Sequence, residues 1–406
     1  MAHAFHAQHP RSIAMRSVRK VKSRLKRCYS LEDFEVAARR HLPRLIHGFV
    51  AGGAETEAGI RDNRAAFQDY AFVPQVLRNV AGRSQAVALF GRNYAAPFGI
   101  APMGAAALCG YRADIAMAQA AAAANLPMLV SAAGLISLED VRRECPTAWC
   151  QLYIPGDDRR ITAMVDRAGA AGYDTVVVSA DVPVPANREN NLRNGFGLPI
   201  VPKAQVIADC ALHPRWLFGT LMRTLLSHGM PHFENMDAMR GPPIFSKNQV
   251  RNTEKRDALS WVHIDLIRKR WPGKLVVKGI LARDDARMAR EAGADGLILS
   301  NHGGRQLDGA IAALRVLPEI VADNPDLTVM IDGGFRRGTD VLKALALGAR
   351  FVFVGRPMLF AAAVAGEAGV ARAIALLKAE IDRDLALLGV KTVAELGPAY
   401  LRRVND

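Results

Sequence analysis

The sequence predicts an α/β fold: a (β/α)₈ TIM barrel with a helical segment before it and a long insert after its fourth strand. Three observations carry this. From residue 98 onward, short apolar runs alternate with longer alanine-rich or amphipathic stretches, the rhythm of parallel strands joined by helices. The apolar runs number eight. At seven of the eight, the C-terminal end carries polar or charged side chains, and barrel enzymes build their sites at those ends. An open doubly wound sheet is the alternative, but no GxGxxG follows the first run.

In chain order, residues 1–27 contain Arg11, Arg16, Arg19, Lys20, Lys22, Arg24, Lys26 and Arg27 and no acid, so more than half of the formal charge of +14 sits there. Residues 1–29 are therefore expected to form a basic, disordered extension, with a single domain over 30–400. The extension has no apolar core and so is not a secretory signal. A solvated tail is the default reading; an organellar transit peptide and a patch for anionic lipid or nucleic acid are the alternatives. Met15 is an alternative start.

Ser30 reads as an N-cap with Asp33 at the capping-box position, opening a helix that runs to about His47. Residues 49–55 read as a turn, and a helix bearing Arg61, Asn63 and Arg64 follows. The strand runs are 98–101, 128–131, 148–152, 175–180, 275–278, 296–300, 328–331 and 351–354. Helices are expected at 114–124, 137–144, 159–171, 283–292 and 340–347, each opening near Asp or Ser. Gly172, Gly293 and Gly348 end three of them. Between the fourth and fifth runs lies far more chain than a βα connection needs. This insert, 188–256, carries Leu212, Trp216, Phe218, Leu221, Leu225 and Leu226 beside Arg215 and Arg223. It reads as a mobile lid, as an interfacial membrane patch exposing Trp, Phe and Leu, or as both.

Half of the residues are apolar and 23% are charged, which excludes wholesale disorder. The five cysteines form no CxxC pair, as expected for free thiols in a reducing compartment. No apolar run approaches the ~20 residues of a spanning helix. No metal-ligand spacing appears, so no metal is expected.

The strand ends are Pro102-Met103-Gly104, Ser131, Gln151 with Tyr153, Ser179 with Asp181, Lys278, Ser300 with His302, Asp332-Gly333-Gly334, and Gly355-Arg356. His302 is a base suited to neutral pH, and Arg305, three residues on, is a clamp for a carboxylate. Together they point to proton abstraction from a small carboxylic acid. The seventh and eighth loops, with Phe335, Arg336 and Arg356, have the glycine-and-arginine character of a phosphate site. Lys278 is too costly on a buried strand to be idle, and it suits a developing negative charge such as that on a reduced flavin.

The string Ser300-Asn301-His302-Gly303-Gly304-Arg305-Gln306-Leu307-Asp308, together with Ile331-Asp332-Gly333-Gly334-Phe335-Arg336-Arg337-Gly338, resembles the FMN-dependent L-2-hydroxy-acid dehydrogenase/oxidase family over roughly residues 30–400. Leu212-His213-Pro214-Arg215-Trp216 and His228-Gly229-Met230-Pro231 resemble its membrane-associated mandelate and lactate dehydrogenases. The resemblance implies that His302 is the base and Asp181 its partner, with Arg305, Arg188 and Tyr153 on the substrate. FMN is implied against Pro102, Met103, Gly104, Ser131, Gln151, Ser179, Lys278 and Ser300. Its phosphate is implied among Asp332, Gly333, Gly334, Phe335, Arg336, Gly355 and Arg356. Three residues depart from the family pattern: Phe49 stands for a tyrosine in the substrate pocket, Met103 for a threonine, and Ser179 for a threonine.

The implied reaction is oxidation of an L-2-hydroxy acid, lactate- or mandelate-like, with electrons passed to a quinone or cytochrome. An oxygen-using oxidase that makes hydrogen peroxide is the alternative. A phosphate-handling isomerase, or a nucleic-acid or lipid binder with an inactive barrel, are the rivals from other classes. A cytoplasmic homo-oligomer, a tetramer, is expected, either free or peripheral on the inner face of the membrane, with no nucleic-acid partner.

Overall fold

The computed structural model describes residues 25–197, 200, 201, 203–246 and 255–404. The reading of residues 1–24 as part of a basic extension therefore lies outside the described residues. Within residues 25–29, Cys28 is buried and its carbonyl accepts a hydrogen bond from Arg372 Nη2 at 3.2 Å, while Lys26, Arg27 and Tyr29 are exposed.

Eight parallel strands form as the apolar runs require: β1 (Phe98–Ile100), β2 (Leu129–Val130), β3 (Trp149–Leu152), β4 (Thr175–Ser179), β5 (Lys274–Ile280), β6 (Gly296–Leu299), β7 (Thr328–Asp332) and β8 (Phe351–Val354). Each pairs with its sequence neighbours, and β8 pairs with β1. A parallel bridge between Ile100 and Met128 joins β1 to β2 and closes the barrel, with Ile100 N–H donating to Pro127 O at 3.0 Å. The strands read as near-continuous apolar runs because both of their faces are buried. Inside, Leu129, Trp149, Val177, Val276, Ile298, Met330, Phe351 and Phe353 fill the barrel. Alternate residues such as Val176, Val178, Leu297 and Ile331 face outward into the helical layer.

That layer was foreseen in part. Its helices are α1 (Leu31–His41), α2 (Arg44–Ala51), α3 (Ala58–Ala65), α4 (Ala113–Ala123), α5 (Leu138–Glu144), α6 (Asp158–Ala170), α7 (Trp261–Arg270), α8 (Arg283–Glu291), α9 (Ala313–Asp323), α10 (Gly338–Ala346) and α11 (Arg356–Leu388). The capping box at Ser30 and Asp33 forms, with Ser30 N–H donating to Asp33 Oδ2 at 2.9 Å. The single helix expected from Ser30 to His47 is two helices, because Leu42 turns extended ahead of Pro43. The second of them continues to Ala51, so the expected turn starts later. Three of the five expected Asp/Ser caps act through their side chains: Ser137 accepts from Asp140 N–H, Asp157 from Arg160 N–H, and Asp340, from inside its helix, from Arg337 N–H. The N-cap position itself is held by Arg337 in that last helix, and by Arg112 and Ala282 in the two others.

Three further elements had no periodic signal strong enough to find. A hairpin of Val87–Leu89 with Arg92–Tyr94 plugs the N-terminal end of the barrel, its Val87, Leu89 and Tyr94 joining the interior cluster. Tyr70–Phe72 pairs antiparallel with Leu401–Arg403. α11 is long and apolar enough to meet the length and composition of a membrane span, which corrects the expectation that no such segment exists. Its apolar residues, from Met358 to Leu388, are largely buried against the rest of the fold, and it kinks at Ala365 and Gly366. Packing therefore accounts for its composition.

The insert folds into short helices, Glu189–Arg193 and Ala204–Ala211, then a continuous run from Pro214 through a π-helical stretch, Leu217–Met222, to His228. Leu212, Phe218, Met222 and Leu226 are exposed, as the membrane reading needs. Trp216 is not: it is buried, and its indole N–H donates to Leu108 O at 2.7 Å. An indole needs a partner for its N–H, and here the barrel supplies it. That tryptophan anchors the insert and does not belong to the exposed patch.

Candidate active site

The strand ends converge on a cleft at the C-terminal mouth of the barrel. Phe49, Pro102, Met103, Gly104, Tyr153, Ser179, Lys278, His302, Arg305, Asp332, Gly333, Gly334, Phe335, Arg336, Gly355 and Arg356 line it, all of them expected from the sequence. Five other expected residues stand behind that lining and hold it. Ser131 Oγ accepts from Ala133 N–H at 3.1 Å. Gln151 Oε1 accepts from Ala132 N–H, and its Nε2 donates to Ser179 Oγ, each at 3.1 Å. Ser300, Asp181 and Arg188 act through the groups described next.

His302 is held on both ring nitrogens. Nδ1 lies 3.0 Å from Asp181 Oδ2, and Nε2 lies 3.3 Å from the Tyr153 hydroxyl. With the proton on Nδ1 donated to Asp181, Nε2 is left as the basic atom and faces the cleft. Burial opposes the Asp181 charge, but His302 and Lys278 outweigh it and hold the carboxyl below its ordinary range. The His302 backbone is left-handed, with φ of 57°, and Gly303 and Gly304 follow in the same region. For a non-glycine residue this conformation costs energy and is kept only where the surroundings enforce it. They do: Ser300 Oγ accepts from His302 N–H at 2.9 Å, and Asn301 Oδ1 accepts from Gly304 N–H at 3.1 Å and from Asn63 Nδ2 at 2.8 Å.

Lys278, on the neighbouring strand β5, is fully enclosed. Its ammonium donates to Ser300 Oγ at 2.8 Å and sits 3.1 Å from Asp332 Oδ2. Burial alone would depress its pKa, but Asp332 and Asp181 together raise it, so the ammonium stays charged. Asp332 Oδ1 and Asp181 Oδ1 are buried without a hydrogen-bond partner among the described residues.

The arginines carry the clearest electrostatic message. Arg305 Nη1 donates to Gly52 O at 2.5 Å; Arg356 donates to Val50 O at 2.9 Å and to Gly52 O at 3.1 Å. Arg188 Nε donates to Arg305 O at 3.0 Å and its Nη2 to Gln306 Oε1 at 2.6 Å. Arg336 reaches Glu35 only at 3.4 Å. Burial, with Arg188 and Arg356 as neighbours, pushes the Arg305 pKa well down, and burial with Arg336 beside it lowers Arg356 to about 10. Buried cations held by neutral carbonyls and one distant carboxylate are short of negative charge. The cleft therefore fits anionic ligands at two places, one at Arg305 and one at Arg336 and Arg356.

Gly333 and Gly334, with φ of 103° and 82°, turn the chain after β7, and a Cβ on Gly334 would overlap Asn63 O. The amides leading into α10 are already used: Asp340 Oδ2 accepts from Arg336 N–H at 2.8 Å and Arg337 N–H at 3.0 Å, and Glu380 Oε2 accepts from Gly338 N–H at 2.7 Å. An anion there is thus met by the arginine side chains and the glycine loops, not by a free α10 terminus. Sequence reasoning missed Val50, Ala101, Gly303, Phe353 and Leu359 of the lining, and also Arg256, which stacks on Tyr153. Gly303 was legible beside His302; the others carry no polar signal or lie far away in sequence.

A closed parallel barrel with a histidine–carboxylate pair at its mouth and two anion subsites beside it defines an α/β-barrel enzyme that binds phosphate- or carboxylate-bearing ligands. The chain belongs to the FMN-dependent dehydrogenase family, whose model matches residues 38–403. It is 39% identical to (S)-mandelate dehydrogenase of Pseudomonas putida over 92% of this chain and 94% of that protein. It is 37% identical to a putative L-lactate dehydrogenase of Mycobacterium tuberculosis over 95% and 91%. The crystal structure of the monotopic membrane protein (S)-mandelate dehydrogenase superposes with a TM-score of 0.84 at 38% identity, covering 93% of this chain and all of that one. A mandelate oxidase structure follows at 34% identity and a TM-score of 0.77, covering 92% and 98%. The chain is thus an FMN-dependent oxidoreductase of the 2-hydroxy-acid dehydrogenase family, and oxidation of a 2-hydroxy acid to the 2-oxo acid is its general reaction.

Proposed function

We propose that the protein oxidises an L-2-hydroxy acid of the lactate or mandelate type and passes the electrons to a quinone at a membrane surface. The observation that carries this reading is the His302–Asp181 pair facing a cleft where, among the described residues, Arg305 and Arg356 have no carboxylate partner and Arg336 reaches only Glu35. The deficit of negative charge at Arg336 and Arg356 suits the phosphate of FMN, with the loops 332–336 and 355–356 around it. Pro102, Met103, Gly104, Ser131, Gln151, Ser179, Lys278 and Ser300 would surround its ring. When bound, FMN supplies a two-electron acceptor. Arg305 and Arg188 bind the substrate carboxylate, and Tyr153 donates a hydrogen bond to the substrate. His302 Nε2 takes a proton, either from the hydroxyl or from the α-carbon, and Asp181 stabilises the resulting imidazolium. The Lys278 ammonium faces the group that gains negative charge.

The quinone acceptor is supported by the exposed Leu212, Phe218, Met222 and Leu226 beside Arg215 and Arg223, a surface suited to the headgroup boundary. The name of the similar monotopic membrane protein points the same way. The likeness to mandelate oxidase supports a second reading, oxygen as acceptor. Anaerobic mixing with L-lactate, L-mandelate, glycolate and longer 2-hydroxy acids tests the reaction through bleaching of the flavin; no bleaching by any of them sinks it. Stoichiometric peroxide in air would favour the oxidase.

Phe49 bears on specificity. It lines the cleft, stacks on Phe196 at 4.2 Å and lies under Arg305 at 5.3 Å. Phe49→Tyr is expected to lower KM for a small 2-hydroxy acid by roughly 10–100-fold, since a hydrogen bond to a charged carboxylate contributes roughly 1.5–3 kcal/mol. An unchanged or higher KM would show that the ring edge does not reach the substrate.

A further inference from the structure

Arg256, the last residue of the insert, is 5% exposed, and its Nε and Nη2 are buried with no hydrogen-bond partner among the described residues. Its neighbour Arg160 is bound to Asp237, at 2.7 and 3.0 Å. What Arg256 does meet is an aromatic face: its guanidinium carbon lies 5.0 Å from the centroid of the Tyr153 ring. The placement is built into the chain. Lys255 adopts φ of 58°, a short 3₁₀ turn follows over Arg256–Ala258, and the Lys255 carbonyl packs where a Cβ on Gly156 would stand. The glycine in the loop after β3 therefore lets the end of the insert lie directly on that loop.

A buried cation with unfilled donors is costly, and a ring face offsets only part of the cost. Burial lowers the Arg256 pKa, as does Arg160, while Tyr153 opposes them. The consequence falls on Tyr153. A cation over a phenol ring draws electron density from it and makes its hydroxyl a stronger donor. That hydroxyl lies 3.3 Å from His302 Nε2, within the cleft. Asp181, Lys278 and Arg188 are the other charges acting on it.

We propose that Arg256 is a positioning residue acting through Tyr153: it clamps the ring at the barrel mouth and strengthens its hydroxyl as a donor to the bound 2-hydroxy or 2-oxo acid. This rests on the proposed function. It gives the insert a part in substrate recognition that is separate from any contact with a membrane.

The test is a double-mutant cycle on the FMN-loaded full chain. The readouts are Kd for phenylglyoxylate and for pyruvate, from the perturbation of flavin absorbance, together with KM and kcat. R256M is expected to raise Kd and KM about 5–20-fold while kcat changes less than about threefold. R256K, which keeps the charge but loses the planar stack, should fall between R256M and the native protein. In a Y153F background R256M should add less than about twofold. Equal losses in both backgrounds, or an unchanged Kd in R256M, would overturn the inference. Should R256M fail to retain FMN, R256K decides: a Kd raised above that of the native protein is expected, and a Kd equal to it overturns the clamp. Native protein that binds neither 2-oxo acid would overturn the functional reading and this inference with it. Native binding that survives in R256M overturns this inference alone.

Discussion

His302→Gln is expected to keep FMN bound and to slow flavin reduction by a 2-hydroxy acid by roughly 10²–10⁴-fold, the usual contribution of a positioned general base. Apart from Ser300, whose hydroxyl meets residue 302 only at its backbone N–H, the flavin contacts proposed above come from other strand ends, so the cofactor has no reason to leave. The loss is chemical: an amide has no basic atom in place of Nε2, whatever its hydrogen bond to Asp181. Backbone strain is the competing explanation, because position 302 has φ of 57°. His302→Asn separates the two, since asparagine adopts that region more readily than glutamine. Both variants should bind phenylglyoxylate within a few-fold of the native protein, because Arg305, Arg188 and Tyr153 remain. Flavin bleaching at the native rate in either variant would refute the assignment of the base. Loss of FMN from the glutamine variant alone would mean that the left-handed turn, and not the imidazole, was being measured.

How much of this was legible in the sequence follows from where the physical signal lies. The eight strands were, because parallel strands buried on both faces are continuous apolar runs, and no other element writes so plain a pattern. The mouth was too, since Lys278, His302 and Asp332 each end such a run. What stayed hidden depends on partners distant in the chain. The hairpin over Val87–Leu89 is short and mixed, and its role as a plug exists only once the barrel has closed. Trp216 looked like a membrane residue because nothing near it in sequence announces Leu108 O. The break at Pro43 was readable and was overridden by the periodicity around it. Arg256 ends a segment of mixed polarity, and only its position on Tyr153 distinguishes it from any other basic residue. The resemblance named residues expected to meet the cofactor and substrate, with Asp181 behind His302; Arg256 came from the structure.

Lys278→Met should lose both stability and reaction rate, and a second substitution divides the two. The ammonium is enclosed, with Asp332 Oδ2 at 3.1 Å and Ser300 Oγ at 2.8 Å, and Asp332 Oδ1 has no partner among the described residues. Removing the cation strands a buried carboxylate, a change that costs about 3–5 kcal/mol. Asp181, held charged partly by Lys278, loses support as well. Thermal unfolding of Lys278→Met is therefore expected well below that of the native protein. Lys278→Met with Asp332→Asn removes the stranded charge and should recover most of that loss. It should not recover the reaction. With no fixed positive charge at the end of β5, the reduced flavin forms at a more negative potential, and reduction by substrate stays slowed by about 10²-fold or more. A double variant that unfolds like the native protein and is also reduced like it would show that Lys278 only neutralises Asp332. Recovered stability with slow reduction and a shifted potential would assign the ammonium to the chemistry, since the structural debt to Asp332 has then been removed.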